Sequence, residues 1–331
     1  MKKYKICKIL LVILAIFLCV AFYELLGICV AYKKQPEVSN TTKKETKNGS
    51  WNECSENTER AVIIEKNPEA LLQRVRLIKN AKKEIILSTF AFQSDESGKL
   101  ILGALHDAAD RGVHIRLLVD GMESWIDMEG NPYFYGLSSH ENVEIKLYNK
   151  ANPLKPWKMM GRMHDKYLIA DGKRYILGGR NTYNYFLGDF PGHKNYDRDV
   201  LVVCDEPEKE NSVNQLLEYF ETIWEQEDSG YFHDNKKLAN RKSVKNAVLE
   251  LQNGYQKYFE ENKERICDTD YTDETFETEK IALVSNPIHT GPKEPVVWYQ
   301  LGELMKNAKE RVKIHTPYII CNDMMYLSLI H

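Results

Sequence analysis

The stretch MHDKYLIADGKRYILGGRN, residues 163–181, decides how the rest of the chain is read. It sets His164, Lys166 and Asp171 at the spacing H-x-K-x4-D and follows them with Gly178-Gly179-Arg180-Asn181. That three-residue spacing alone is weak, since this composition produces it by chance in roughly a few per cent of chains of this length. The surroundings sharpen it. Residues 167–170 are a short apolar run, Asp171-Gly172 is a turn signal, and residues 174–177 alternate again. The pattern predicts a strand, a tight turn and a second strand ending in a glycine pair. His164 and Lys166, two apart, leave the same strand face. The glycine pair lets backbone approach a ligand closely, and Asn181 adds an amide donor beside it.

These groups suit phosphoryl transfer. An imidazole attacks phosphorus, while an ammonium and an amide hold the non-bridging oxygens, with no metal and no cofactor. The competing reading is a structural hairpin with a buried histidine and a surface lysine. The segment resembles the motif of the phospholipase D superfamily, H-x-K-x4-D-x6-G-[GS]-x-N, with every position present. In that family the histidine forms a phospho-histidine intermediate, so the resemblance implies this role for His164.

The chain has 331 residues, 43% of them hydrophobic, which is room for one large or two medium domains with a substantial core. Its net charge of −3 argues against a nucleic-acid partner held by phosphate contacts. Seven cysteines show no metal-ligand spacing. If the domain lies outside the cytoplasm, Cys54, Cys267 and Cys321 are available for a disulfide, which their spacing does not assign.

Four lysines precede an apolar run over residues 9–23, interrupted by Glu24 and resumed to Tyr32, with Lys33 and Lys34 closing it. As one helix, residues 9–32 span about 36 Å, enough for a bilayer core. Residues 1–34 therefore read as an uncleaved single-pass membrane anchor. A signal peptide cut after Ala31 is the alternative, and the total apolar length favours the anchor. Lysines on both sides leave the orientation open.

Residues 35–58 are polar and read as a tether. From residue 59 the chain alternates. A helix begins at Asn67-Pro68, strands follow at residues 84–92, 113–119 and 143–148, and Ser94 or Asp95 caps the helix between the first two. After the motif, Asp197-Arg198-Asp199-Val200 opens a strand running to Cys204, and a helix follows over 206–227. The fold class is α/β, a mixed sheet flanked by helices over residues 59–227. Residues 228–279 are polar and read as a linker or insertion, holding one amphipathic stretch (Val244, Val248, Leu251, Tyr255, Phe259) and an acidic run at 268–279 as its solvated part. Residues 304–316 then repeat the pattern of 77–89, the start of a second copy over 280–331. The matching second histidine would lie about sixty residues beyond His331. His315 is not that residue, because nothing after it matches K-x4-D.

The resemblance extends beyond the motif. Residues 95–121, and the succession Gly178-Gly179-Arg180-Asn181, Tyr185-Phe186, Asp197-x-Asp199-Val200, are similar to bacterial cardiolipin synthases, which transfer a phosphatidyl group between phospholipids. The resemblance implies a phosphatidyltransferase or phospholipase with membrane phospholipids as partners; a nuclease of the same family, or a non-catalytic membrane-tethered phosphate-binding module, is the alternative. A carboxylate some thirty residues after the histidine supports its ring in relatives, a role carried over to Asp197, with Asp199 on the same strand face. A polar strand entry is the plainer reading of both. Asp171 matches the motif aspartate and reads more as a holder of local structure than as a participant. Gly178, Gly179 and Arg162 are candidates for contact with the lipid phosphate, although a surface arginine would look the same. Trp157 with Met159-Met160 reads either as a contact for acyl chains or as packing under a loop. A complete site in this family needs two histidines. The second is expected from a C-terminal segment beyond residue 331 or from a second chain, and this chain alone is expected to be inactive or slow.

Overall fold

The apolar runs at Glu84–Thr89 (β2), His114–Asp120 (β3) and Val143–Tyr148 (β4) lie side by side as parallel strands. They need cover on both faces. In the computed structural model, which describes residues 2–49, 59–204, 211–233 and 235–314, a nine-stranded mixed sheet is built around them. Helix α1 is Lys2–Tyr32, α2 Asn40–Asn48, β1 Glu59–Ile64, α3 Asn67–Asn80, α4 Glu96–Asp110, α5 Glu123–Asp127 and α6 Pro132–Ser138. Then follow β5 (Tyr167–Ala170), β6 (Arg174–Gly178), β7 (Asp199–Cys204), α7 (Ser212–Trp224), β8 (Ser229–Tyr231), α8 (Lys242–Glu261), α9 (Lys263–Cys267), β9 (Phe276–Glu277) and α10 (Val296–Lys306). The strand order is β8-β4-β3-β2-β5-β6-β7-β1-β9, antiparallel everywhere except β2-β3-β4.

Period-two alternation assigns each strand a side. Leu87, Leu117, Leu168, Ile176 and Leu201 face a core shared with α3, α4, α6 and α8. Ile86, Leu118, Ile169, Tyr175 and Val202 face α7, whose Val213, Leu216, Phe220 and Trp224 are buried against them. Of the two capping residues offered by the sequence, Asp95 starts α4, accepting from Gly98 N at 3.0 Å. Asn211 caps α7, so that helix begins later than residue 206; residues 205–210 lie outside the described residues.

Three segments differ from their reading. The polar stretch after the anchor contains α2, capped by Ser39 and held by Glu294, whose Oε1 accepts from Ser39 N (2.8 Å) and Thr42 Oγ1 (2.7 Å). Residues 228–279 are no solvated linker. They supply strands to both sheet edges, and α8 buries Val244, Leu251, Tyr255 and Phe259 along α4 and α6. Gly103 permits that approach, since a Cβ there would lie 2.6 Å from Leu251 O. The acidic run was hidden because its partner is distant in sequence. The guanidinium of buried Arg76 reaches Asp268 O and Asp270 O, both at 2.8 Å, and the Glu274 carboxylate at 2.9 Å, and it stacks on Tyr271. In the third segment, α10 occupies part of the expected repeat helix, but residues 311–314 form no strand, and His315 and the remainder lie outside the described residues.

One residue of the motif sets the height of the central hairpin. Asp171 takes a left-handed conformation (φ 55°) at the β5–β6 turn, where short polar residues are tolerated. Its carboxylate accepts from three successive amides, Lys82 N (2.9 Å), Lys83 N (2.7 Å) and Glu84 N (3.0 Å), between α3 and β2. Asp171→Ala removes those acceptors and strains the turn, so urea unfolding should show a loss of about 2–4 kcal/mol. Asp171→Asn keeps the turn and part of the bonding and should lose clearly less. Equal stability of the alanine variant and the parent would contradict this account.

Candidate active site

The register carries the motif to one edge of the sheet. Ser88 pairs with Tyr167, Tyr167 with Leu177, and Gly178 with Asp199, so the end of β2, the start of β5 and the β6–β7 junction meet. His164 and Lys166 precede β5 rather than lying on it, yet both meet one ring. The His164 imidazole is 4.7 Å from the Phe90 ring centroid, and Lys166 Nζ is 5.4 Å from the same centroid. Asn181 is placed by the residue next to Phe90: its Oδ1 accepts from Ala91 N at 3.2 Å, which leaves the amide NH2 as the end free to donate. Backbone pairing continues there, with Thr182 N bonded to Ala91 O and Gln93 N to Thr182 O.

Charge is arranged around that ring. The Lys166 side chain is buried and its ammonium donates to the His164 carbonyl at 2.7 Å. Burial pulls its pKa down to about 8, against the pull of the Asp165 and Asp197 carboxylates. His164 is exposed, yet the surrounding wall desolvates its imidazole enough to lower the pKa, and the Lys166 charge adds to that. At neutral pH the ring is therefore mainly unprotonated, the form that carries a nucleophilic lone pair.

The carboxylates expected to support His164 go elsewhere. Asp199 is buried between Arg74 (2.9 Å) and Arg180 (3.3 Å) and belongs to the core side of β7. Gly178 leaves room for it: a Cβ there would lie 2.0 Å from Asp199 Oδ1. Asp197 lies against Gly179, where a Cβ would be 2.1 Å from its Oδ2, and it accepts from its neighbour Arg198 N at 2.7 Å. It acts on Lys166 through its field, and no hydrogen bond joins it to His164 among the described residues. The two glycines thus make space for carboxylates. Asp171 lies at the opposite end of β5 and does not reach the site.

Arg162 lines the cavity beside His164 but is tethered, donating to Asp120 Oδ1 (3.0 Å) and Asn149 O (2.6 Å). Asp120 is fully buried and also accepts from Met163 N at 3.0 Å, so this pair orients the approach to the motif. The cavity, of about 370 Å³, has His164, Asp165 and Lys166 on one wall, Leu216 and Tyr219 on another, and Leu283 and Lys293 across it. Asp165 was not singled out from the sequence. Tyr219 donates to it at 2.7 Å and burial raises its pKa. Its place between His164 and Lys166 was the available signal. Arg180 was missed too: it is buried, ties the motif to Ile64 O, Glu65 O and Asn67, and its charge answers Asp199.

A family model described as "Cardiolipin synthase, PLD-like domain" matches residues 74–224. A protein of Helicobacter pylori strain J99, described as uncharacterized, is 28% identical over 292 residues, covering 78% of this chain and 54% of that protein. Cardiolipin synthase C of Escherichia coli K12 is 29% identical over 171 residues, covering 47% of this chain and 34% of that enzyme. The chain thus spans about half or less of the length of these relatives. Among solved structures, phosphatidylserine synthase of Haemophilus influenzae Rd KW20 aligns over 74% of this chain and 52% of its own, with a TM-score of 0.44 and 15% identity. The family match encloses the whole His164–Asn181 motif, so residues 74–224 carry a PLD-like domain, similar to that of the cardiolipin synthases.

Proposed function

We propose that this chain carries one half of a phosphatidyl-transfer site that acts on membrane glycerophospholipid through a phospho-histidine at His164. One observation carries the reading: an accessible imidazole with a lowered pKa stands beside a buried ammonium at the mouth of a cavity. The match to a cardiolipin synthase domain supports the lipid substrate. Helix Lys5–Tyr32, long and apolar enough to cross a membrane, supports single-pass anchoring.

In this scheme an imidazole nitrogen of His164 attacks the phosphorus, and the bond to the headgroup alcohol breaks. Lys166 and Asn181 stabilise the charge gathered on the equatorial oxygens. The departing alkoxide takes a proton from a general acid, for which the reading assigns a second histidine from a further segment or a second chain. An acceptor alcohol or water then attacks the phosphorus, gives up its proton to the same group, and releases His164.

A longer form that supplies the second histidine, incubated with phospholipid carrying radiolabelled phosphate, should retain acid-labile, alkali-stable label. His164→Asn should bind vesicles and remain unlabelled. Equal labelling of parent and His164→Asn would remove the nucleophile from the scheme.

The pH profile of labelling follows from the two shifts. Protonation of His164 ends the reaction on the acid side, below the ordinary histidine value. Loss of the Lys166 proton ends it on the alkaline side near pH 8. Lys166→Arg, which keeps its charge, should move the alkaline limb upward, and Lys166→Ala should cost about a hundredfold or more in rate. An alkaline limb that stays in place in the arginine variant would assign it to another group.

A further inference from the structure

We infer that the loops around the His164 site are embedded in the lipid–water interface of the membrane crossed by α1, so that the site meets lipid in place. The inference rests on the membrane anchoring and lipid-directed chemistry proposed above, and it adds which face of the domain enters the bilayer.

Parallel strands β2, β3 and β4 all end at the edge where β5 begins. The connections leaving this edge carry large apolar side chains in solvent: Trp125 (69% exposed), Ile126 (68%), Leu154 (77%), Trp157 (45%), Met160 (58%) and Tyr196 (76%). Single exposed apolar residues are ordinary, but here three loops on one edge contribute. Two of these loops adjoin, since a Cβ on Gly121 would lie 2.6 Å from Lys150 N. Tryptophan and tyrosine are the residues that favour the boundary between headgroups and acyl chains.

The candidate membrane helix touches the same rim. Tyr23 Oη donates to Leu154 O at 3.1 Å, and Gly27 abuts Pro156, with a Cβ there 2.4 Å from the ring. The span Lys5–Tyr32 holds 28 residues, about 42 Å of helix against a hydrocarbon core of about 30 Å. About 12 Å of it must therefore lie outside the hydrocarbon. Glu24 indicates which end, because a carboxylate is costly in the core and residues 9–23 hold none. Tyr23 then stands at the hydrocarbon boundary, and its bond brings Leu154 to that depth. Exposed Lys33, Lys34 and Lys155 lie on the water side, where they complement anionic headgroups. Anchor, apolar rim and basic collar define one plane, and the site opens at it.

The test is tryptophan quenching by lipids brominated on their acyl chains, with the whole chain reconstituted in vesicles of phosphatidylcholine and phosphatidylglycerol. Parent emission should be quenched, and Trp125→Phe/Trp157→Phe should lower the quenched fraction at least about twofold. Trp224→Phe, at a buried position, should not lower that fraction. Equal quenching of the parent and the double variant, or loss in Trp224→Phe instead, would overturn the proposal. Failure of His164 to take up lipid phosphate would sink the transfer scheme while leaving the quenching result intact, so the two ideas fail separately.

Discussion

The grip of the Asp171 carboxylate on the amides of Lys82, Lys83 and Glu84 is the constraint on which the site geometry rests. It ties the β5–β6 turn to the start of β2, and two strands tied at one end can pair in only one register. That register lifts Lys166 and His164 to the level of Phe90 at the other end. A slip by one residue would exchange the faces of β5 and turn Leu168 out of the core. The aspartate of the motif therefore works from a distance, through the length of a four-residue strand.

A second set of charges fixes the lateral position. Asp199, Arg74 and Arg180 form a buried cluster beneath the glycine pair, with Arg180 also collecting carbonyls from the β1–α3 connection. A buried ion cluster offers little net stability compared with well-packed apolar side chains, but breaking it strands a charge. Its effect here is to bind β7, β6 and α3 into one unit under Asn181. The same arrangement explains why Asp199 is unavailable to His164.

The α/β class, the succession of strands and helices along the chain and the motif were legible because they rest on local signals. Alternation at residues 84–89 and 114–120, the Asp95 cap and the Asp171-Gly172 turn need no knowledge of distant contacts. The likeness to the superfamily was legible from the spacing of His164, Lys166, Asp171 and Asn181. What sequence hid was set by long-range pairing. Arg76 and the acidic run at residues 268–274 are almost two hundred positions apart, and neither predicts the other. The amphipathic stripe Val244, Leu251, Tyr255 and Phe259 of α8 was legible, but nothing local indicated that α4 and α6 would cover it. Asp197 and Asp199 read as one strand face, yet the arginines that claim Asp199 come from other elements.

Lys166 has a consequence for folding itself. An ammonium with a pKa near 8 in the folded chain and near its ordinary 10.5 when unfolded is disfavoured by the fold. The folded state binds fewer protons between those values, so stability rises as pH passes from about 8 to about 10.5, and the full cost of about 3 kcal/mol stands below pH 8. The charge that would hold a phosphate is thus present only where it weakens the domain. A neutral side chain of similar length at this position would avoid that cost and give a sturdier fold.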